Sequence, residues 1–175
     1  NPLANTDDGS CLVCVGSISG PWTEDFDSYV NGNLGPFNGW YNDSLLDGAN
    51  WTCWSNSTGS YQTGPSSDVS GLGQYLYTET SGVNNKWANL NSWCVNTTTL
   101  ATPHLRWSWQ MYGATMGDMH VSIDDSIVWS QSGDDGSLGV SWNQAQIPLP
   151  SGTNVLVQFR AWLGPSYQSD MAIDE

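Results

Sequence analysis

From Leu105 to Tyr112 apolar and polar side chains change places at every step. Leu105, Trp107, Trp109 and Met111 alternate with Arg106, Ser108, Gln110 and Tyr112. A period of two is the repeat of an extended strand with one face buried and one wet. The same repeat runs through Met119–Val121–Ile123 against His120 and Ser122, and through Val155–Val157–Phe159–Ala161 against Leu156, Gln158, Arg160 and Trp162. It returns in Met171 and Ile173, which alternate with Asp170, Ala172 and Asp174. No segment sustains a helical repeat, and Gly, Asn, Asp and Ser punctuate the apolar runs as turn formers do. Strands with one dry face need a facing sheet, so the expected fold is all-β: a two-sheet antiparallel β-sandwich.

The chain has 175 residues, enough for one core and too few for two large domains. Its net charge of -14, with only Lys86, Arg106 and Arg160 as strong bases, excludes nucleic acid and anionic membranes as partners. No apolar stretch approaches the roughly 18 residues of a membrane span, so no membrane insertion is expected. Four cysteines and many turn residues point to an oxidising, extracellular setting. The expected pairing is Cys53 with Cys94 and Cys11 with Cys14. The rival reading of Cys11 and Cys14, a zinc knuckle, lacks the second CxxC or His pair it needs. Residues 1–20, acidic and turn-rich, are expected to be a linker remnant, and residues 21–175 a module cut from a longer secreted protein with neighbouring modules.

Seven short segments share a resemblance. They are Glu24-Asp-Phe-Asp27, Phe37-Asn-Gly-Trp40, Asp47-Gly-Ala-Asn-Trp51, Thr63-Gly-Pro-Ser-Ser-Asp68, Leu105-Arg-Trp-Ser-Trp-Gln-Met-Tyr-Gly113, Met116-Gly-Asp-Met-His-Val121 and Asp170-Met-Ala-Ile-Asp-Glu175. In this order, from about Trp22 to Glu175, they resemble a MAM domain, the extracellular module of meprins, neuropilins and receptor tyrosine phosphatases. The segment Asp7-Asp-Gly-Ser-Cys11 resembles a linker repeat of large bacterial surface proteins, which suggests a bacterial-type source. The MAM resemblance implies a jelly-roll sandwich, secretion, no catalysis, adhesion or partner binding, and a metal ion held by early and late carboxylates. One departure stands out: Asn38 sits where the family usually has a cysteine, which puts its first disulfide in doubt here.

The acids follow from strand parity and turn chemistry. Burying Phe26 turns Asp25 and Asp27 outward, and Asp170 and Asp174 leave the last strand on its wet face. Calcium takes six to eight oxygens from carboxylates and carbonyls, so Asp27, Asp47, Asp68 and Asp174 are the expected ligands of one structural Ca2+. The alternative is that these acids cap turns and keep the surface soluble. Among the indoles, Trp107 and Trp109 are expected in the core and Trp40 and Trp51 as plugs beneath loops, while Trp129 and Trp142 fit either the core or the surface. Trp87 and Trp162 point away from their apolar neighbours, and Trp54 lies in a polar loop. Outward Trp beside Arg, Gln and Tyr suits sugar, which stacks on indole and bonds to planar polar groups. Trp54, Trp87, Tyr112, Arg160 and Trp162 are therefore the expected ligand contacts, for a neutral polysaccharide on the charge argument. The other class is a protein-interaction or adhesion surface, where exposed aromatics serve as anchors. No GxSxG, HExxH or P-loop is present, and no catalytic residues are expected.

Overall fold

The computed structural model describes residues 16–43 and 48–175. Its strands are β1 (Ser17–Ser19), β2 (Trp40–Asn42), β3 (Trp51–Trp54), β4 (Tyr75–Thr78), β5 (Trp87–Ser92), β6 (Cys94–Asn96), β7 (His104–Gln110), β8 (Asp118–Ile123), β9 (Ser126–Ser132), β10 (Asn143–Pro148), β11 (Asn154–Val155), β12 (Val157–Trp162) and β13 (Ala172–Asp174). Two five-stranded sheets, ordered β10-β7-β13-β4-β3 and β2-β5-β12-β8-β9, carry the core. Every pairing within them is antiparallel. A small third sheet, β1-β6-β11, runs β1 parallel to β6, so Ser17–Ser19 of the segment read as linker pairs with Cys94–Asn96. Among the described residues there is no helix. The all-β sandwich is the fold.

The alternation predicted for β12 is realised residue by residue: Val157, Phe159 and Ala161 are buried while Gln158, Arg160 and Trp162 are half-exposed. Trp107 of one sheet meets Phe159 of the other edge-on at 5.6 Å, and stands perpendicular to Trp129 at 5.2 Å. Trp109 meets the same Trp129 ring at 5.3 Å. Aromatic pairs in such tilted and edge-on contacts contribute beyond their buried area. Trp51 adds a direct tie between the sheets, its Nε1 donating to the Ala88 carbonyl at 3.2 Å. A second aromatic layer lies on the outer face of the β7 sheet, where Tyr75, Tyr77, Trp54 and Trp142 pack together.

Two expectations are corrected here. Cys53 is a free, buried thiol at the centre of the β3 pairing, so it forms no bridge to Cys94, which is itself disulfide-bonded. Cys11 and Cys14 lie outside the described residues. Asp170 and Asp174 do not sit on a wet face: they are 0% and 3% exposed, because the loop ending at Val69 and the Thr63 hydroxyl close over the outer side of β13.

Candidate functional site

The outer face of the β5–β12–β8 sheet is ordered in rows. Strand register sets Trp87, Trp162 and Asp118 side by side across three strands, then Asn89, Arg160 and His120, then Asn91, Gln158 and Ser122. Tyr41 of β2 extends the third row. Residues two apart on a strand share a face, so these nine side chains point the same way, with rows about 7 Å apart.

The polar members hold one another. Arg160 Nε donates to Asn89 Oδ1 at 3.2 Å, Gln158 Nε2 donates to Asn91 Oδ1 at 3.1 Å, and the Ser122 hydroxyl donates to Gln158 Oε1 at 3.0 Å. Crosslinking through planar amides fixes their rotamers, which lowers the entropy lost when a ligand binds. The aromatic end is built on the same scale. Trp87 and Trp162 stand 5.2 Å apart with their planes at 56°, the His120 ring lies 5.8 Å from Trp87, and the Arg160 guanidinium sits 5.0 Å over the Trp87 ring. Two glycines seat this end. A Cβ on Gly117 would collide with the Trp162 carbonyl, and one on Gly164 with the Thr115 carbonyl, so the backbone packs closest where Trp162 leaves β12.

Of the five expected ligand contacts, the structure brings together Trp87, Arg160 and Trp162. Trp54 belongs to the opposite sheet, tilted at 54° against Tyr77 at 5.8 Å, with its Nε1 donating to the Ser57 carbonyl. Tyr112 lines a separate cleft with Tyr61 and Leu138. His120 and Asn89 belong to the face and were not singled out from sequence. The parity of His120 between Met119 and Val121 could have found it, but only the β8–β12 register shows that it neighbours Arg160.

Of the four expected metal ligands, Asp27, Asp68 and Asp174 lie at one end of the other sheet. Asp27 Oδ1 accepts the Gln74 N–H at 2.7 Å, Asp68 Oδ2 accepts the Ser70 N–H at 2.9 Å, and Asp174 Oδ2 accepts the Val69 N–H at 3.0 Å. Gly73 lies between the first two: a Cβ there would collide with Asp27 Oδ1 and stand 2.8 Å from Asp68 Oδ2. Burial raises the Asp68 carboxyl, but the Ser70 side chain and the N–H groups of Gly73, Ser70 and Gly71 outweigh it and hold that group below its ordinary value. Asp174 goes the other way. Burial, with the neighbouring Asp68 and Glu175 charges, pushes it up to about 7 against the N–H bonds of Val69 and Glu175. The same field reaches Cys53, raised to about 12 by burial and by the charges of Asp174, Asp27 and Glu24. Asp47 lies outside the described residues. Among the described residues, no three His, Cys, Asp or Glu side chains form a group that could hold a metal ion by themselves.

Comparison with known proteins gives one family. The model of the MAM domain, meprin/A5/mu, matches residues 26–175. Human MAM domain-containing glycosylphosphatidylinositol anchor protein 1 is 31% identical over 160 residues, covering 77% of this chain and 15% of that protein. Thyroid hormone-induced protein B of Xenopus laevis is 30% identical over 134 residues, covering 71% of this chain and 19% of that protein. The chain thus spans less than a fifth of the length of either relative. Among solved structures, the K1 cleaved adhesin domain of Lys-gingipain from Porphyromonas gingivalis W83 superposes with a TM-score of 0.59 at 16% identity, covering 88% of this chain and 94% of that one. The K2 adhesin domain gives a TM-score of 0.58 at 17% identity, covering 87% and 95%. At these identities the likeness concerns the fold.

Proposed function

We propose, for a chain that belongs to the MAM domain family, a non-catalytic, calcium-stabilised binding module of a larger secreted or cell-surface protein that takes neutral polysaccharide on the β5–β12–β8 face. The observation that carries this reading is the juxtaposition of Trp87, Trp162 and Arg160 at the head of a locked amide ladder. A pyranose offers an apolar face to indole and a rim of hydroxyls to amides, guanidinium and carboxylate, and the face provides both. With a net charge of -14, the chain repels polyanionic glycans, so an uncharged polymer is the matching ligand. Secretion or surface display accords with the glycosylphosphatidylinositol-anchored relatives.

A pull-down on a panel of neutral polysaccharides tests this directly. Trp162→Ala is expected to lower affinity for the retained glycan about tenfold or more, equivalent to about 1.4 kcal/mol. Retention on none of the panel would remove the reading. The second reading, a protein-contact surface, rests on a different place. Tyr61, Leu138 and Val140 are 74%, 68% and 76% exposed beside the Tyr112 cleft, an apolar patch of the kind that marks protein interfaces. Retention on no glycan together with calcium-dependent self-association would favour it.

The carboxylates offer part of the oxygen shell of a hard cation, the rest of which would fall to backbone oxygens. Asp68 Oδ1 is buried without a hydrogen-bond partner, and neither Asp68 nor Asp174 has an ion pair among the described residues. Asp27, Asp68 and Asp174 would hold calcium together with backbone carbonyls of the turn-rich loop, as its high oxygen demand requires. Bound, the ion would neutralise the mutual repulsion of these carboxylates and tie the loop to β13. Saturating calcium at about 100 times Kd should add about 2.7 kcal/mol. For a chain this size that raises Tm by about 5–10 °C over chelator. Asp174→Asn should abolish most of the difference. A midpoint that ignores calcium in the wild type ends the idea.

A further inference from the structure

We infer that the face takes a single, soluble glycan chain, stacked on Trp162, and does not adhere to flat crystalline polymer. The inference rests on the polysaccharide reading above and specifies its ligand. A crystalline surface presents many sugars in one plane, so a platform that adheres to it needs coplanar rings. Here the two indole planes meet at 56° across 5.2 Å, and no flat sheet can lie on both.

The rings are also unequal. The Arg160 guanidinium covers a face of Trp87 at 5.0 Å, and the His120 ring, tilted by 38°, stands 5.8 Å from it. Arg160 is in turn tied to Asn89 through Nε. Trp87 is therefore a buttress, held in place by a cation and an imidazole. Among the described residues no cation covers Trp162, and it stands at the end of β12 where the close backbone packing at Gly117 and Gly164 fixes its Cα. Asp118, its cross-strand neighbour, places a carboxylate acceptor beside the ring for sugar hydroxyls.

Beyond Trp162 the path is polar. Arg160 and His120 form the next row, and Gln158, Asn91 and Ser122 the one after. His120 Nδ1 is buried with no hydrogen-bond partner among the described residues. From Trp162 to Gln158 the strand advances about 13 Å, the reach of a short oligosaccharide. A chain that stacks one sugar on Trp162 and turns its hydroxyls to the ladder must follow the twist of the sheet. A free chain can twist so; one packed in a crystal cannot.

The test uses the whole chain in two assays with the same chemistry in two physical forms. Depletion onto microcrystalline cellulose and crystalline chitin is compared with calorimetric titration by cello- and chito-oligosaccharides, and by soluble mixed-linkage glucan, xylan and mannan. The expected result is binding to at least one soluble chain and no depletion onto either crystalline solid. Trp162→Ala should weaken the soluble binding tenfold or more, Trp162→Tyr should restore most of it, and melting of both variants should match the wild type. Depletion onto a crystalline solid that the soluble chains do not compete away overturns the inference and leaves the polysaccharide reading standing. Soluble binding that survives Trp162→Ala likewise overturns the assignment of that ring alone. Binding to no glycan in either form overturns both.

Discussion

Truncating Trp51 to alanine is expected to destabilise the fold by about 3–5 kcal/mol, among the largest losses any single substitution should produce here. Trp51 is wholly buried on β3, and no shift of a neighbour can fill the space of an indole at the junction of two sheets. The loss is more than volume. Its Nε1 donates to the carbonyl of Ala88 on β5, in the facing sheet, so truncation also removes a buried hydrogen bond between the sheets. Its backbone is gripped from both sides by Asn42, whose Oδ1 accepts the Trp51 N–H and whose Nδ2 donates to the Trp51 carbonyl, each at 2.8 Å. The β2–β3 connection is thereby anchored at the same residue. Urea unfolding should show a lower midpoint at an unchanged slope. Trp51→Phe separates the two contributions, restoring most of the area but not the hydrogen bond, and should fall about 1–2 kcal/mol below wild type. A loss under 1 kcal/mol for the alanine variant would mean that Trp51 does not join the sheets as described.

How far the sequence disclosed this architecture depended on whether a strand has two unlike faces. β12 does, and its six residues alternate as written. β5 does not: Ala88, Leu90 and Ser92 face the core, yet Asn89 and Asn91 on the outer side are only 7% and 6% exposed beneath Arg160 and Gln158. A strand roofed by its neighbours' long side chains shows no amphipathic period. β4 is concealed for the same reason, its outer tyrosines lying under Trp54 and Trp142.

The candidate face was half legible. Parity alone turned Trp87, Arg160 and Trp162 outward. It could not say that Trp87 and Trp162, far apart in the chain, are cross-strand partners, because register is a tertiary quantity. Nor could parity tell one outer face from the other, and a sandwich has two. Trp54 and Tyr112, grouped with the others by residue type, stand elsewhere for that reason. The late acids show a further limit. Asp174 is on the outer side, as its alternation with Ile173 requires, but the Asp68–Val69 turn folds over it. Loops that roof a sheet leave no periodic trace.

That roofing sets the second large effect, a loss of stability as pH rises. Asp170 is fully buried. Its Oδ1 accepts the Thr80 N–H at 3.1 Å, while its Oδ2 finds no partner among the described residues. Burial, then the nearby Glu79 charge, raises its carboxyl to about 7, against the opposing hydrogen bond from the Thr80 N–H. The sign follows from proton counting. Between the ordinary carboxylate range and about 7, the folded chain keeps a proton that the unfolded chain has released, so stability falls with rising pH and levels off above about 7. At about 1.4 kcal/mol for each unit, the full drop from one such group is up to about 4 kcal/mol. Asp174, raised to about 7 as well, adds a drop of the same sign in calcium-free buffer. Asp170→Asn isolates its share. The amide keeps an oxygen for the Thr80 N–H and never ionises, so the variant should match or exceed wild type at pH 8 and fall slightly below it at pH 5. Chemical unfolding from pH 4.5 to 8.5 in chelator reads the difference. Parallel curves for the two proteins would show that Asp170 ionises in the fold at its ordinary pH, and that its burial leaves water a path to the free oxygen.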